Sequence, residues 1–267
     1  MSESDQKFAG GIPEIYESHV VPMTFAPWAE AMAERLTRHA PGALLELAAG
    51  TGALTRQLAD KLPDTELTAT DLNPAMLEVA SRRGASRPVT WKPADAQALP
   101  FGDARFDAVV CQFGVMFLPD RVKAFREAGR VLRGGGYYFF SVWDRIETFP
   151  VEEEVDRALQ KVLGRESFLK RVPHGCFAVE PLKRDLAQAG LFGVSVEPTT
   201  LTLRAPSARH AAEGYCLGTP LRNELDQLGP GTAQKTVDTV EAALAKRFGS
   251  GPFEAPMGAI FFAVGPV

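Results

Sequence analysis

The chain has 267 residues, 45% of them hydrophobic, and carries 29 basic against 33 acidic residues without a long run of either sign. That is enough apolar material for one large domain, or one domain with an inserted cap, and it leaves no electrostatic footprint for a phosphate backbone. The start MSESDQKFAGG lacks the apolar core of a secretory signal, no window approaches the ~20 apolar residues of a membrane span, and Cys111, Cys176 and Cys216 are too scattered for a disulfide framework or a CxxC site. The expectation is a cytoplasmic protein with reduced thiols and neither a nucleic-acid nor a membrane partner.

Residues 1–40 read as a helical preface: Asp5 to His19 is mostly polar, Pro22 interrupts, and Trp28, Met32 and Leu36 recur at helical spacing. From residue 41 short apolar runs alternate with amphipathic stretches, the pattern of strand–helix–strand units around a parallel sheet. Strands are expected at Ala43–Leu47, Glu66–Thr70, Val89–Trp91, Phe106–Cys111 and Tyr137–Val142. Leu54, Leu58 and Leu62 mark the first helix between them. Asn73 as a cap, Pro74 at the first position, Met76, Leu77 and Ala80 inward and Gly84 at the end mark the second, and Asp120–Leu132 is the third.

After Trp143 the rhythm breaks. Residues 144–190 read as a helical cap insertion, with Val151, Val155, Leu159 and Val162 on one helix, a Pro/Gly stretch around Pro173, His174 and Gly175, and a second helix from Glu180 to Gly190. Residues 191–267 supply a sixth strand, Val194–Arg204, interrupted by Pro198, then helices from about Ala208 and Thr232, and a last strand, Met257–Val264. The fold class is α/β: a doubly wound, mostly parallel seven-stranded sheet on a 41–143 core, with helical insertions.

The segment LLELAAGTGALT places Glu46, Gly50, Thr51 and Gly52 between a strand and a helix, where a missing Cβ lets backbone N–H groups approach a ligand. The same glycines also suit a plain strand-to-helix turn. A dinucleotide fingerprint requires a third glycine three residues after the second, and that position is Thr55, which counts against NAD. Asp71 ends the second strand about 20 residues downstream, the spacing of an acid that accepts from both ribose hydroxyls, although it also adjoins a helix cap. S-adenosyl-L-methionine has a ribose, a sulfonium and an amino-acid end but no pyrophosphate, so a short GxG turn with carboxylates is chemically sufficient for it.

These segments carry a resemblance. ELAAGTG, TATDLNPAML, DAQALPF, FDAVVCQFGVMFLPD and VLRGGGYYFFSVW, in that order over roughly residues 40–143, resemble the motifs of the Rossmann-like class I S-adenosylmethionine-dependent methyltransferase family, especially the bacterial group related to ubiquinone/menaquinone biosynthesis methyltransferases. The resemblance implies that Gly50, Thr51 and Gly52 approach the methionine portion and that Glu46 anchors the loop or the amino group. It implies that Asp71 holds the ribose, Leu72 and Met76 flank the adenine, Asp95 with Ala96 reads its amino edge, and Gln112 and Phe113 border the methionine moiety. Met76 also suits a core position, and Asp95 a turn cap. Nucleobase-methylating relatives carry (Asp/Asn)-Pro-Pro-aromatic after the fourth strand, whereas this chain has Cys111-Gln112-Phe113-Gly114, which points to a small-molecule acceptor. Tyr16-Glu17, Val21-Pro22 and Phe25 resemble a flap in part of that group, which implies that Tyr16 and Phe25 shield the methyl group; a packed terminal helix is the other reading.

Methyl transfer from a sulfonium is an in-line displacement with S-adenosyl-L-homocysteine as product, so alignment and water exclusion suffice and a dedicated catalytic residue is optional. Where a hydroxyl acceptor needs a general base, His174 in the cap is the first candidate and His19 in the preface the second. Trp143, Tyr215 and Cys216 are candidates for lining the acceptor pocket, or for packing. His39 reads as structural and His210 as a surface helix residue, and no histidine pair has metal-ligand spacing. The leading reading is thus a small-molecule methyltransferase acting on oxygen, nitrogen or carbon; the alternatives are a non-catalytic S-adenosylmethionine-binding sensor or assembly factor and, third, an NAD-dependent oxidoreductase, which also lacks its Tyr/Lys pair. Composition and motifs leave the oligomeric state open.

Overall fold

The computed structural model describes residue 8 and residues 10–267; residues 1–7 and Ala9 of the expected 1–40 preface lie outside the described residues. Seven strands, β1 (Ala43–Glu46), β2 (Glu66–Asp71), β3 (Thr90–Pro93), β4 (Phe106–Gln112), β5 (Leu132–Trp143), β6 (Val194–Ala205) and β7 (Phe253–Val264), form one sheet in the order β3-β2-β1-β4-β5-β7-β6. The first five pair in parallel, Leu45 opposite Thr68 and Val109, Ala69 opposite Trp91, and Val109 opposite Tyr138. Parallel pairing demands a crossover after each strand, and the helices α3 (Ala53–Lys61), α4 (Pro74–Arg83) and α5 (Arg121–Val131) supply three of them. The doubly wound α/β fold read from the alternation is therefore present.

The last two strands reverse direction. Val267 N donates to Gly136 O (3.0 Å) while Asp144 N donates to Gly258 O (3.1 Å), so residue numbers rise on β5 as they fall on β7. Ser195 and Arg204 of β6 likewise bond Ala263 and Glu254, which makes β6 antiparallel to β7. Pro198 was expected to interrupt the sixth strand, yet β6 runs unbroken: it is the outermost strand, where a residue without an N–H costs no ladder bond.

A second correction concerns Pro22. The preface does not break there; α1 (Ile12–Ile15) passes into a π-helix, Tyr16–Phe25, and on into α2 (Ala26–Thr37). The wider turn, with Ala26 N donating to Val21 O five residues back, accommodates a ring that would clash within a tighter α-turn. The remaining boundaries shift locally. Asp120 is the N-cap of α5, its carboxylate accepting from Lys123 N at 2.9 Å, whereas Asn73 makes no side-chain capping bond and α4 starts on Pro74 alone.

The chain divides into two compact units. Ala29–Val142, Cys176–Thr199 and Ala259–Val267 form one; the described residues up to Trp28, Trp143–Gly175 and Thr200–Gly258 form the other. In the first, the core is the apolar strand run Leu44, Leu45, Val109, Val110 and Phe140 with Leu54 and Leu58 of α3, all buried. The amphipathic α8 (Val179–Gln188) packs on α5, where Arg121 pairs with Asp185 at 2.7 Å. The second unit is mainly helical: α6 (Pro150–Leu163), α7 (Phe168–Arg171), α9 (Ala208–Leu217), α10 (Leu221–Gln227) and α11 (Thr232–Phe248), with Val237, Val240 and Leu244 of α11 fully buried. Of the segment read as a cap, residues 144–175 belong here and α8 to the sheet unit. No helix among the described residues is long and apolar enough to cross a membrane.

Candidate cofactor site

Every residue with an expected cofactor role lies in the sheet unit, at or just beyond the carboxyl ends of β1 to β4. After β1 the backbone is held from both sides, Leu47 N donating to Val110 O (2.8 Å) and Ala49 N to Thr70 O (2.9 Å). It then turns through left-handed residues, Ala48 (φ 52°), Gly50 (φ 57°) and Gly52 (φ 83°). Gly52 is required twice over: a Cβ there would stand 3.0 Å from Trp91 Cη2 and 3.3 Å from the Ala80 Cβ, in a conformation L residues avoid. Buried Met76 packs beneath Gly50, its Cε within 3.6 Å of where a Cβ would be.

Asp71 closes the turn from the β2 side. Its Oδ2 accepts from Gly50 N and its Oδ1 from Asn73 N, both at 2.8 Å, so one buried carboxylate fastens the glycine loop to the start of α4. Burial pushes its pKa up, against the opposing pull of these backbone N–H groups. The Asn73 side chain and the Leu72 N–H also bond this carboxylate.

Glu46 is the second buried carboxyl. It accepts from Thr55 Oγ1 at 2.6 Å, while its backbone oxygen accepts from Thr70 Oγ1 at 2.9 Å. Burial raises its pKa to about 8, with the Asp71 charge adding to the rise and the Thr55 bond opposing it. In the sequence Thr55 is only a departure from the dinucleotide pattern; its place in the first turn of α3, facing back to the end of β1, is what gives it this role. Neither Glu46 nor Asp71 forms an ion pair among the described residues; the nearby charge is Arg56, whose guanidinium donates to Thr51 O at 2.8 Å and pulls the Glu46 pKa down against the effect of burial.

At the end of β4, Phe113 adopts φ 52° and donates its N–H to Ser141 O (3.1 Å) of β5. Gly114 follows because a Cβ there would lie 2.5 Å from the Ala48 Cβ and 2.6 Å from Cys111 Sγ. Two non-glycine residues in left-handed conformation, Ala48 and Phe113, thus flank one contact between the loops after β1 and β4, a concentration of backbone strain typical of ligand sites. The side-chain oxygen of Gln112 is buried there without a hydrogen-bond partner among the described residues. Beyond β3, Ala94 N donates to Asp71 O, and Asp95 Oδ1 accepts from Gln97 N at 2.8 Å, with Ala96 half-buried between them. Leu72, next to Asp71, is 53% exposed, the one large apolar side chain of the constellation left open to solvent.

The candidates for acceptor handling and catalysis lie in the helical unit. Tyr16, Phe25 and Trp143 form one aromatic run, with ring centroids 5.2 Å and then 5.7 Å apart. His19 stacks on His210 at 4.3 Å and faces Glu213 at 3.6 Å, so His210 is not the open surface residue expected. His174 is buried with both ring nitrogens engaged: Nδ1 donates to Asp144 O and Nε2 shares a proton with Glu152, each at 2.7 Å. Burial lowers its pKa, and the Glu152 carboxylate more than reverses that, for a net rise. Tyr215, also buried, bonds Glu152 and lies 3.4 Å from Thr24 Oγ1. Glu152 and Thr24 went unnoticed in the sequence, since nothing in helical periodicity marks an acid on a buried face. Among the described residues no group of histidine, cysteine and acidic side chains could hold a metal.

Residues 45–140 match the family described as "Methyltransferase domain". The chain is similar to a ubiquinone/menaquinone biosynthesis C-methyltransferase of Caulobacter vibrioides, 33% identical over 145 residues, which are 51% of this chain and 58% of that protein. It is similar to a demethylmenaquinone methyltransferase of Thermus thermophilus, 40% identical over 111 residues, 41% of this chain and 50% of that protein. The chain thus spans about half the length of the curated relatives it matches. Among solved structures, a SAM-dependent methyltransferase of Thermotoga maritima superposes with a TM-score of 0.58 over 99% of both chains at 19% identity, a likeness of fold.

Proposed function

Starting from residues 45–140 as a class I S-adenosylmethionine-dependent methyltransferase domain, we propose that the protein binds S-adenosylmethionine at the β1–β4 turn and methylates a small organic acceptor. The observation that carries the reading is the pair of buried carboxyls, Glu46 and Asp71, converging on the Gly50-Thr51-Gly52 turn with neither of them in an ion pair among the described residues. A ligand with an ammonium, a sulfonium and a ribose brings positive charge and hydroxyl donors that suit these two carboxyls. The orphaned oxygen of Gln112 fits the same demand for a donor.

Within this reading the backbone from Gly50 to Gly52 cradles the amino-acid end, Glu46 faces its ammonium, and Asp71 accepts from the ribose while keeping its hold on Gly50 and Asn73. Exposed Leu72 covers one face of the adenine and Asp95 with Ala96 its edge. Met76 supports Gly50 from below, a role its burial favours over direct contact. The cofactor when bound contributes an already activated methyl group, so the protein has to align the acceptor and exclude water. With both nitrogens committed, His174 serves to position Glu152 and the 144 backbone instead of taking the acceptor's proton.

Calorimetric titration tests the first half: saturable binding of S-adenosylmethionine and S-adenosylhomocysteine is expected, and none of NAD. Mass-spectrometric detection of S-adenosylhomocysteine released with a panel of phenols, quinols and amines tests the second. Cofactor binding without turnover on any acceptor would leave the non-catalytic sensor as the better account.

A proton count follows from Glu46. With a pKa of about 8 it is largely protonated at pH 7, and an ammonium beside it favours the ionised form. Binding is therefore expected to release up to one proton and to strengthen as pH rises towards 8. Titrations at pH 7 in buffers of different ionisation enthalpy should give different apparent enthalpies, and that difference should shrink in Glu46→Gln. Identical enthalpies in all buffers for the parent protein would remove Glu46 from the site.

A further inference from the structure

In the sheet unit, a groove of about 220 Å³ lies against α2, β5, β6 and β7, and none of the candidate cofactor residues lines it. Its volume is below the ~300–1,000 Å³ of pockets for drug-sized ligands, which limits an occupant to about one ring. Met32, Phe139 and Phe261 give it an apolar wall, and Arg35, Arg38 and Glu197 its charge. We propose that this groove binds a small organic anion with a flat apolar body, a single-ring carboxylate being the simplest, with Arg35 as the anchoring residue.

The geometry of Arg35 carries the assignment. Its guanidinium lies 3.8 Å over the Phe261 ring, and Nη1 donates to Ala31 O at 2.9 Å, so the plane is fixed before any ligand arrives. The edge formed by Nε and Nη2 is the one that takes a carboxylate in bidentate fashion. Only half of that edge is used: Glu197 Oε1 accepts from Nη2 at 2.5 Å, while Nε is buried without a partner among the described residues.

Glu197 is 63% exposed on the outermost strand, and an ion pair to so exposed a partner contributes little. It behaves as a tethered stand-in that a better-fitting carboxylate can displace. With Glu197 opposite Arg35, Arg38 leaves the groove net positive, even though burial and the Arg38 charge lower the pKa of the adjoining His39 and favour its neutral ring. The apolar wall selects an aromatic body over a fully hydrated anion.

Benzoate is the probe, titrated into the full chain at low salt by calorimetry, with benzamide as the uncharged control. Saturable benzoate binding is expected, with benzamide about tenfold weaker or more, the difference set by charge-assisted hydrogen bonds. Arg35→Met should weaken benzoate about tenfold or more, and Glu197→Gln should tighten it about threefold by removing the competitor. Saturation with S-adenosylhomocysteine should leave benzoate affinity unchanged. Benzoate binding no better than benzamide, retained in Arg35→Met, or displaced by S-adenosylhomocysteine would overturn the proposal. Should Arg35→Met fail to fold, Glu197→Gln decides, since unchanged or weaker benzoate binding there overturns it as well.

Discussion

Asp71→Ala is expected to weaken S-adenosylmethionine binding by about 1.5–3 kcal/mol, roughly ten- to a hundredfold in Kd, the scale of hydrogen bonds to a charged group. From sequence the substitution looks local to the ligand, with the fold untouched. The structure enlarges it. Gly50 N and Asn73 N both donate to this carboxylate, so alanine also strips the acceptor from two N–H groups that hold the turn. Each donor left buried and unpaired costs about 1–3 kcal/mol, and a loss of stability should accompany the loss of affinity. Asp71→Asn, which keeps one acceptor oxygen and places an NH2 against the other donor, should fall between parent and alanine in both measurements. Calorimetry for affinity and urea denaturation for stability separate the two effects. Parent-like affinity in Asp71→Ala would remove the main support for the β1–β4 turn as the cofactor site.

Glu152→Ala is expected to destabilise the protein by about 3–5 kcal/mol, because it leaves His174 in the interior with its charge partner gone. Both side chains are almost fully buried, their atoms are 2.7 Å apart, and Tyr215 depends on the same carboxylate. The pH dependence carries a definite sign. The pKa of His174 is raised above its ordinary 6.5, so the stabilisation from the pair is complete below that value and is lost as pH rises through the higher folded value. In Glu152→Gln that loss on the alkaline side should largely disappear, since the carboxylate that holds the imidazolium is absent. Denaturation midpoints measured from pH 5.5 to 9 for parent, Glu152→Gln and Glu152→Ala provide the comparison. A change below about 1 kcal/mol in Glu152→Ala would show that the pair is not a stabilising feature of the helical unit.

Much of the candidate site is legible without coordinates because its parts are local. Glycines at 50 and 52 announce a left-handed turn that side chains disfavour, and an acid ending the next strand announces a carboxylate at the same edge of the sheet, since parallel strands bring their carboxyl ends together. Thr55 shows where such reading stops. Its identity was noted only as a departure from a dinucleotide pattern, and its hydroxyl turns out to hold Glu46. Gly114 is a similar case: one glycine among many in the sequence, it is obligatory because Ala48 from another loop, together with the Cys111 thiol, stands in the way of a Cβ.

Strand and helix periods, turn residues and caps are written in neighbouring positions, so they suffice for the α/β class, for the first five strands and for the order of motifs from Glu46 to Phe113. Partnership between distant segments is not written there. That β7 runs antiparallel between β5 and β6, that Pro198 is harmless on an outermost strand, and that the helix passes through Pro22 are outcomes of packing. The bonds from Trp28 to Met257 and from Thr24 to Tyr215 join residues 229 and 191 positions apart, and the pairing of His174 with Glu152 crosses between separate elements. A single side chain's pattern of neighbours along the chain carries no record of such partners, because burial decides which polar groups must find each other only after the helices have come together.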